Sequence, residues 1–224
     1  MKKRLDQYSG QLTASQIAQG INAARRNSAR LANDAKLLLE AKRFASAASL
    51  AVLAIEEAGK SSILREIALA RDDKELKAAW RSYRSHTSKN QAWLFVELFL
   101  KGARRLHDFA PLFSEESDHP YILDQVKQIS FYTDCLGNAH WSCPDEIIDE
   151  SLARSLVTTA SILGKGEDVS EREIELWIQH LKPVWKCPTE LMEKGLSDWY
   201  AALQAEDIKP HGNNAMREFI LEGI

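Results

Sequence analysis

The residues best equipped for chemistry lie in the stretch AAWRSYRSHTSKN, where Arg81 precedes His86 with four residues between them. Arg84, Lys89 and Asn90 flank the pair. An imidazole exchanges protons near neutrality, because its ordinary pKa is about 6.5. A guanidinium beside it can hold a phosphate through two parallel hydrogen bonds and stabilise charge on a pentacoordinate phosphorane. Together they suit cleavage of RNA by attack of its own 2′-hydroxyl, which needs a base, an acid and a cation but no metal. On this reading Arg81 and His86 are catalytic, while Arg84, Lys89 and Asn90 position the phosphate backbone. The spacing by itself more often describes a solvated helix surface carrying a satisfied histidine.

A second set of ionisable groups sits where charges are costly. Glu56, Glu57 and Lys60 fall inside FASAASLAVLAIEEAGKSSILREIALA, residues 44–70, whose first dozen residues are almost wholly apolar. Apolar residues surround the helical wheel, which predicts a central helix buried on most sides. The row Leu50, Leu53, Glu57, Lys60, Leu64, Ile67 has the spacing of one helix face and places Glu57 and Lys60 in line with core positions. Desolvating an ion costs on the order of several kcal/mol, so buried charges need partners. We expect Glu57 and Lys60 to orient Arg81 or His86 from this neighbouring helix. A carboxylate beside an imidazole favours its protonated, acid form. The plainer alternative is that Glu56, Glu57 and Lys60 only lock helix packing.

Other chemical signals are thin. Cys135, His140 and Cys143, with Cys187 far downstream, could ligate zinc in principle, but C-x4-H-x2-C is not a standard knuckle. A di-iron bundle needs two Glu-x-x-His motifs on its helices. The chain offers Glu116-x-x-His119, in an expected loop. There is no Walker-type glycine loop or dinucleotide fingerprint. Neither a metal nor a cofactor is expected. Tyr132 and Trp141 could stack on a base, although tryptophans in an all-helical chain are mostly core.

Positioning these groups falls to helices. From Thr13 to Arg43 apolar positions repeat at Ile17, Ile21, Ala24, Ser28, Leu31, Ala35 and Leu38, predicting a long amphipathic helix with Ser15 as a candidate cap. A break near residues 42–44 makes it antiparallel to the central helix. A third helix over 73–85 leads with little or no gap into a fourth carrying AWLFVELFL. Residues 107–120, with two prolines and a polar cluster, read as a loop. Further helices are predicted over 121–134, 145–163, 171–183 and 189–204, with a turn at Gly137-Asn138 and a short helix possible at 215–221. Ser170 and Glu173 have the form of a capping box. No sustained alternating pattern predicts a strand. The expected fold is all-α, an antiparallel helical bundle with additional C-terminal helices.

Composition narrows the class further. The 224 residues are 45% hydrophobic and 27% charged, the balance of an ordinary globular domain. No apolar run is long enough to span a membrane, and the start MKKRLDQYSGQL lacks the apolar core of a signal peptide. Three irregularly spaced cysteines do not make a disulfide framework, so a cytoplasmic protein with reduced thiols is expected. The net charge of −3 conceals an asymmetry. Residues 1–107 hold 20 Lys and Arg against 10 Asp and Glu, and residues 108–224 hold 9 against 22. Such a split either offers an anion one basic surface or lets the acidic half pack on the basic half, within a chain or across a dimer.

The segments NAARRNSARLANDAKLLLEAKRFASAASLAVLAIEEAGK and WRSYRSHTSKN, followed by SFYTDCLGNAHWSCPDE, resemble the AbiV-type abortive-infection proteins of bacteria, within the HEPN superfamily. The most specific points are Glu56-Glu57-x-Gly59-Lys60, His86-x-x-Lys89 and Tyr132-x-Asp134 with Trp141-x-x-Pro144. The resemblance covers roughly residues 20–165 and implies a HEPN-like bundle, taken to occupy residues 1–165. Residues 166–224, which it does not reach, are expected to form a helical extension packed on it. The resemblance also implies a homodimer and a metal-independent ribonuclease acting in phage defence. In that scheme Arg81 and His86 form the catalytic motif, supported by Glu56, Glu57, Lys60, Tyr132 and Asp134. Ser82 stands where active relatives commonly carry Asn, Asp or His. The alternatives are a catalytically silent HEPN-type module that recognises RNA, a nucleotide or a phage protein, and a structural helical adaptor.

Overall fold

A computed structural model describes residues 6–113 and 119–223. Glu116 lies outside the described residues, as do the basic positions Lys2, Lys3 and Arg4. The chain begins with α1 (Ala14–Glu40), and its cap is Thr13 rather than Ser15. Thr13 Oγ1 accepts from the Gln16 N–H at 3.2 Å, and the Gln16 side chain accepts from the Thr13 N–H at 3.0 Å. That reciprocal box satisfies two amides that a helix start otherwise leaves open, so Thr13 prevails over a serine two residues later.

The apolar row of α1 is buried from Ile17 to Ala35 against α2 (Phe44–Leu69). Between them Lys42 takes a left-handed backbone (φ 59°) and reverses the chain. Ser28 is wholly buried in this seam, its hydroxyl donating to the Ala54 carbonyl at 2.8 Å. Helix α2 is the axis of the molecule. It touches α1, α3 (Asp73–Arg84), α4 (His86–Leu100), α5 (His119–Phe131), α7 (Glu150–Leu163) and α8 (Glu171–Leu181). Its alanine-rich N-terminal half packs with α1, α7, Leu123 of α5 and Ile148. Its C-terminal half packs with the start of α1, with Leu76, Ala79 and Trp80 of α3, and with Ile174 of α8.

The expectation for α2 needs one correction. The fully buried charge is Glu56, while Glu57 and Lys60 are half-buried and pair with each other. With neighbours on most sides, the deepest line of α2 runs through Val52, Ile55, Glu56, Gly59 and Ile63.

Three further details differ from the sequence reading. Residues 106–113 form a 3-10 segment that buries Phe109, rather than a loop throughout. A two-stranded antiparallel hairpin, β1 (Asp134–Leu136) and β2 (His140–Ser142), surrounds the turn at Gly137. The helix expected over 145–163 divides into α6 (Pro144–Ile147) and α7, because Asp149 caps α7 through the Leu152 N–H at 2.8 Å. Past α7, α8 packs on α1 and α2, α9 (Thr189–Ala205) packs on α8, and α10 (Ala215–Leu221) on α9. Ser170 caps α8, while the Glu173 carboxylate meets Arg65 of α2. Asn22 of α1 exchanges hydrogen bonds of 2.9 and 2.8 Å with the Val169 backbone. The N-terminal segment is strapped onto α3: Trp80 Nε1 donates to Gly10 O at 3.0 Å, and Arg84 donates to Tyr8 O at 2.7 Å. Among the described residues, no helix is long and apolar enough to cross a membrane.

Candidate active site

Ser85 serves two helices at once. Its N–H donates to the carbonyls of Arg81 and Ser82, closing α3, and its Oγ accepts from the Ser88 N–H at 3.3 Å, opening α4. Arg81 therefore sits in the last turn of α3 and His86 is the first residue of α4. One turn on, Lys89 shares a face with His86 and both reach towards α2. Gly59 makes that approach possible. A Cβ there would overlap the Lys89 carbonyl oxygen and stand 2.9 Å from its carbon.

Glu56 collects the charges brought together. Its Oε2 accepts from His86 Nδ1 at 2.8 Å, its Oε1 accepts from Lys127 Nζ at 2.7 Å, and Lys89 Nζ stands 4.0 Å away. Lys127 Nζ also forms an ion pair with Asp124 Oδ1 at 2.7 Å. The Glu56 side chain is 4% exposed, whereas that of His86 is 58% exposed. A carboxylate only accepts, so the hydrogen bond fixes the proton of His86 on Nδ1 and leaves Nε2 to exchange one with a ligand. Burial pushes the Lys89 ammonium below its ordinary pKa, with Glu56 opposing that effect. Burial acts on Lys127 too, but its attraction to the Asp124 and Glu56 carboxylates outweighs it and holds its pKa above the ordinary value.

The orienting carboxylate is thus Glu56, and not Glu57 as expected. Glu57 pairs with Lys60 at i,i+3, and Lys60 also lies 5.6 Å from the centre of the Tyr83 ring. Arg81 is exposed. The residues expected to hold phosphates are placed differently. Lys89 and Asn90 are buried in α4, and Arg84 is taken up by the Tyr8 carbonyl and the face of Trp80. Tyr132 and Asp134 lie at the hairpin, where Tyr132 is exposed and the Asp134 N–H donates to Ser142 Oγ. Neither contacts Glu56 or His86. Lys127 escaped the sequence reading, since one lysine in an amphipathic helix carries no local mark of its partner. Cys135, Cys143 and Cys187 are free, and among the described residues no group of three His, Cys, Asp or Glu could hold a metal ion.

What results is an exposed imidazole fixed from behind by a buried, cation-held carboxylate. That arrangement can exchange protons in a fixed orientation. No curated protein and no solved structure matches the chain significantly. The family model for AbiV, a HEPN family, matches residues 16–165 and so includes α1 to α7 with the Glu56–His86 pair. By that match the chain belongs to the AbiV family of HEPN abortive-infection proteins.

Proposed function

We propose that this AbiV-family protein acts in abortive infection as a metal-independent endoribonuclease. The observation that carries the reading is the hydrogen bond from His86 Nδ1 to the buried Glu56, which leaves an oriented and exposed imidazole. In the reaction, His86 exchanges the proton of the 2′-hydroxyl or of the leaving oxygen, and Arg81 balances charge on the phosphorane. Glu56 is a positioning residue, and Lys127 and Lys89 neutralise it. The one histidine of the motif cannot be base and acid in the same step. A homodimer placing two copies of His86 about one groove supplies both from identical residues. Strictly monomeric protein by light scattering at micromolar concentration would remove that part of the proposal.

The test is purified protein incubated with total RNA in EDTA. Cleavage is expected from the unaltered chain and lost in His86→Ala, with circular dichroism confirming that the variant is folded. Arg81→Lys should also be impaired, because an ammonium cannot reproduce the guanidinium fork on a phosphate. Cleavage at the original rate by folded His86→Ala protein sinks the assignment. Ser82, beside Arg81, favours a second reading in which the site binds RNA without cutting it. RNA retained intact by the unaltered protein would select that reading.

A further inference from the structure

The outer face of α3 carries cations that the Glu56 network does not use. Lys74, Lys77 and Arg81 follow one another at i, i+3 and i+7 and so share one side of the helix. With Asp73 and Ala78 they line a shallow trough of about 480 Å³. Ala78, short and exposed, keeps the floor low between long side chains.

Several other cations of this half of the chain are engaged. Arg30 pairs with Asp34, Lys60 with Glu57, Arg71 with Glu75, and Lys89 with Glu56. Among the described residues, no side-chain hydrogen bond or ion pair engages Lys74, Lys77 or Arg81. Nearby acids do not cancel them. Asp72 caps α3, Glu75 is held by Arg71 and Lys186, and Asp73 offsets one of the three charges. The trough therefore keeps a net positive charge, and Arg81 belongs to it and to the candidate catalytic pair alike.

We propose that this trough is a guide for the backbone of single-stranded RNA. Resting on the ribonuclease reading above, it assigns phosphates of one strand to Lys74 and Lys77, and the next to Arg81, which presents it to His86. At about 1.5 Å rise per residue the three cations span about 10 Å, enough for about two or three phosphates. A single strand fits better than a duplex for a chemical reason. Attack by a 2′-hydroxyl needs it in line with the leaving oxygen, which the A-form helix does not permit.

The experiment uses the full chain carrying His86→Ala, so that binding is read without cleavage. Fluorescence anisotropy follows a labelled oligouridylate over a series of KCl concentrations. Lys74→Gln with Lys77→Gln should raise Kd about tenfold and lower the slope of log K against log salt by about 1.4, at about 0.7 per phosphate contact. Lys36→Gln, at an exposed position of α1, should change neither. With His86 restored, the double variant should raise KM and leave kcat unchanged. If the parent binds RNA and the double variant binds it with the same Kd and slope, the guide is refuted while the ribonuclease reading stands. Unchanged RNA binding with lost self-association would make this face a protein contact, which also overturns it. Failure of the parent to bind RNA at all removes both.

Discussion

Gly59→Ala is a substitution that helix propensity and tertiary packing judge oppositely. In an open helix the change stabilises by about 1 kcal/mol, because alanine loses less backbone entropy than glycine. Here the new methyl would overlap the Lys89 carbonyl oxygen and lie 2.9 Å from its carbon and 3.1 Å from its Cα. All three are backbone atoms, so no side chain can swing aside. The N-terminal turn of α4 has to retreat as a unit. Forcing a methyl into a packed seam costs about 1–3 kcal/mol, and a rigid backbone obstacle places this case at the upper end. The net expectation is destabilisation by about 2 kcal/mol, read as a lowered midpoint in urea by circular dichroism. The retreat also stretches the 2.8 Å bond between His86 and Glu56, so RNA cleavage should fall further than stability alone explains. Gly20→Ala is the matched control. Its methyl would meet the flexible Leu64 side chain at 3.2 Å, so the result should be neutral or slightly stabilising. A Gly59→Ala protein as stable as Gly20→Ala would refute the close crossing of α2 and α4.

Three other outcomes follow from the same structure. Lys127→Met removes the hydrogen-bonded ammonium from buried Glu56 and should destabilise by about 3 kcal/mol; a urea midpoint no lower than that of Lys194→Met, at an exposed site, would contradict it. Hydrogen bonds from the Arg71 side chain and backbone hold the Glu75 carboxyl at a pKa of about 2, below its ordinary 4.5. Its contribution is therefore complete above pH 4.5 and lost as pH falls towards 2, so Glu75→Gln should flatten the acid limb of the stability profile in that window. Arg84→Met keeps a stem against Trp80 but loses the bond to Tyr8, and limited proteolysis within residues 6–13 should accelerate; an unchanged cleavage rate would show that the strap is held by Trp80 alone.

The helical architecture was legible because it rests on local periodicity. The row from Ile17 to Ala35 predicted the buried face of α1, and α3 begins at Asp73 as read. The cap was misread because Ser15 and Thr13 are both hydroxyls, and the deciding mark was Gln16 three residues after Thr13. In α2 periodicity lost its power to choose. A helix with neighbours on most sides has no single apolar stripe, so the row that put Glu57 in line with the core passed over the deeper Glu56. Which carboxylate meets His86 depends on how α4 crosses α2, a fact stored in Gly59 and visible only in three dimensions. Lys127 joins from 71 residues away in sequence, beyond any local pattern. The hairpin strands, of three residues each, are too short for alternation to register.

The double duty of Ser85 bears on the spacing between arginine and histidine. On an uninterrupted α-helix each residue turns about 100°, so positions five apart point about 140° from one another. Arg81 and His86 on one such rod would be directed to nearly opposite sides. Ser85 instead places an extended residue (φ −78°, ψ 130°) between two helices, and each side chain takes its heading from its own axis. The relation between them is then no longer the phase of a single helix. Adding or removing a residue within α3 would rotate Arg81 about its axis without turning His86. The pair behaves as two tools mounted on separate arms of one elbow, and their alignment is set by the bend together with the place of each along its arm.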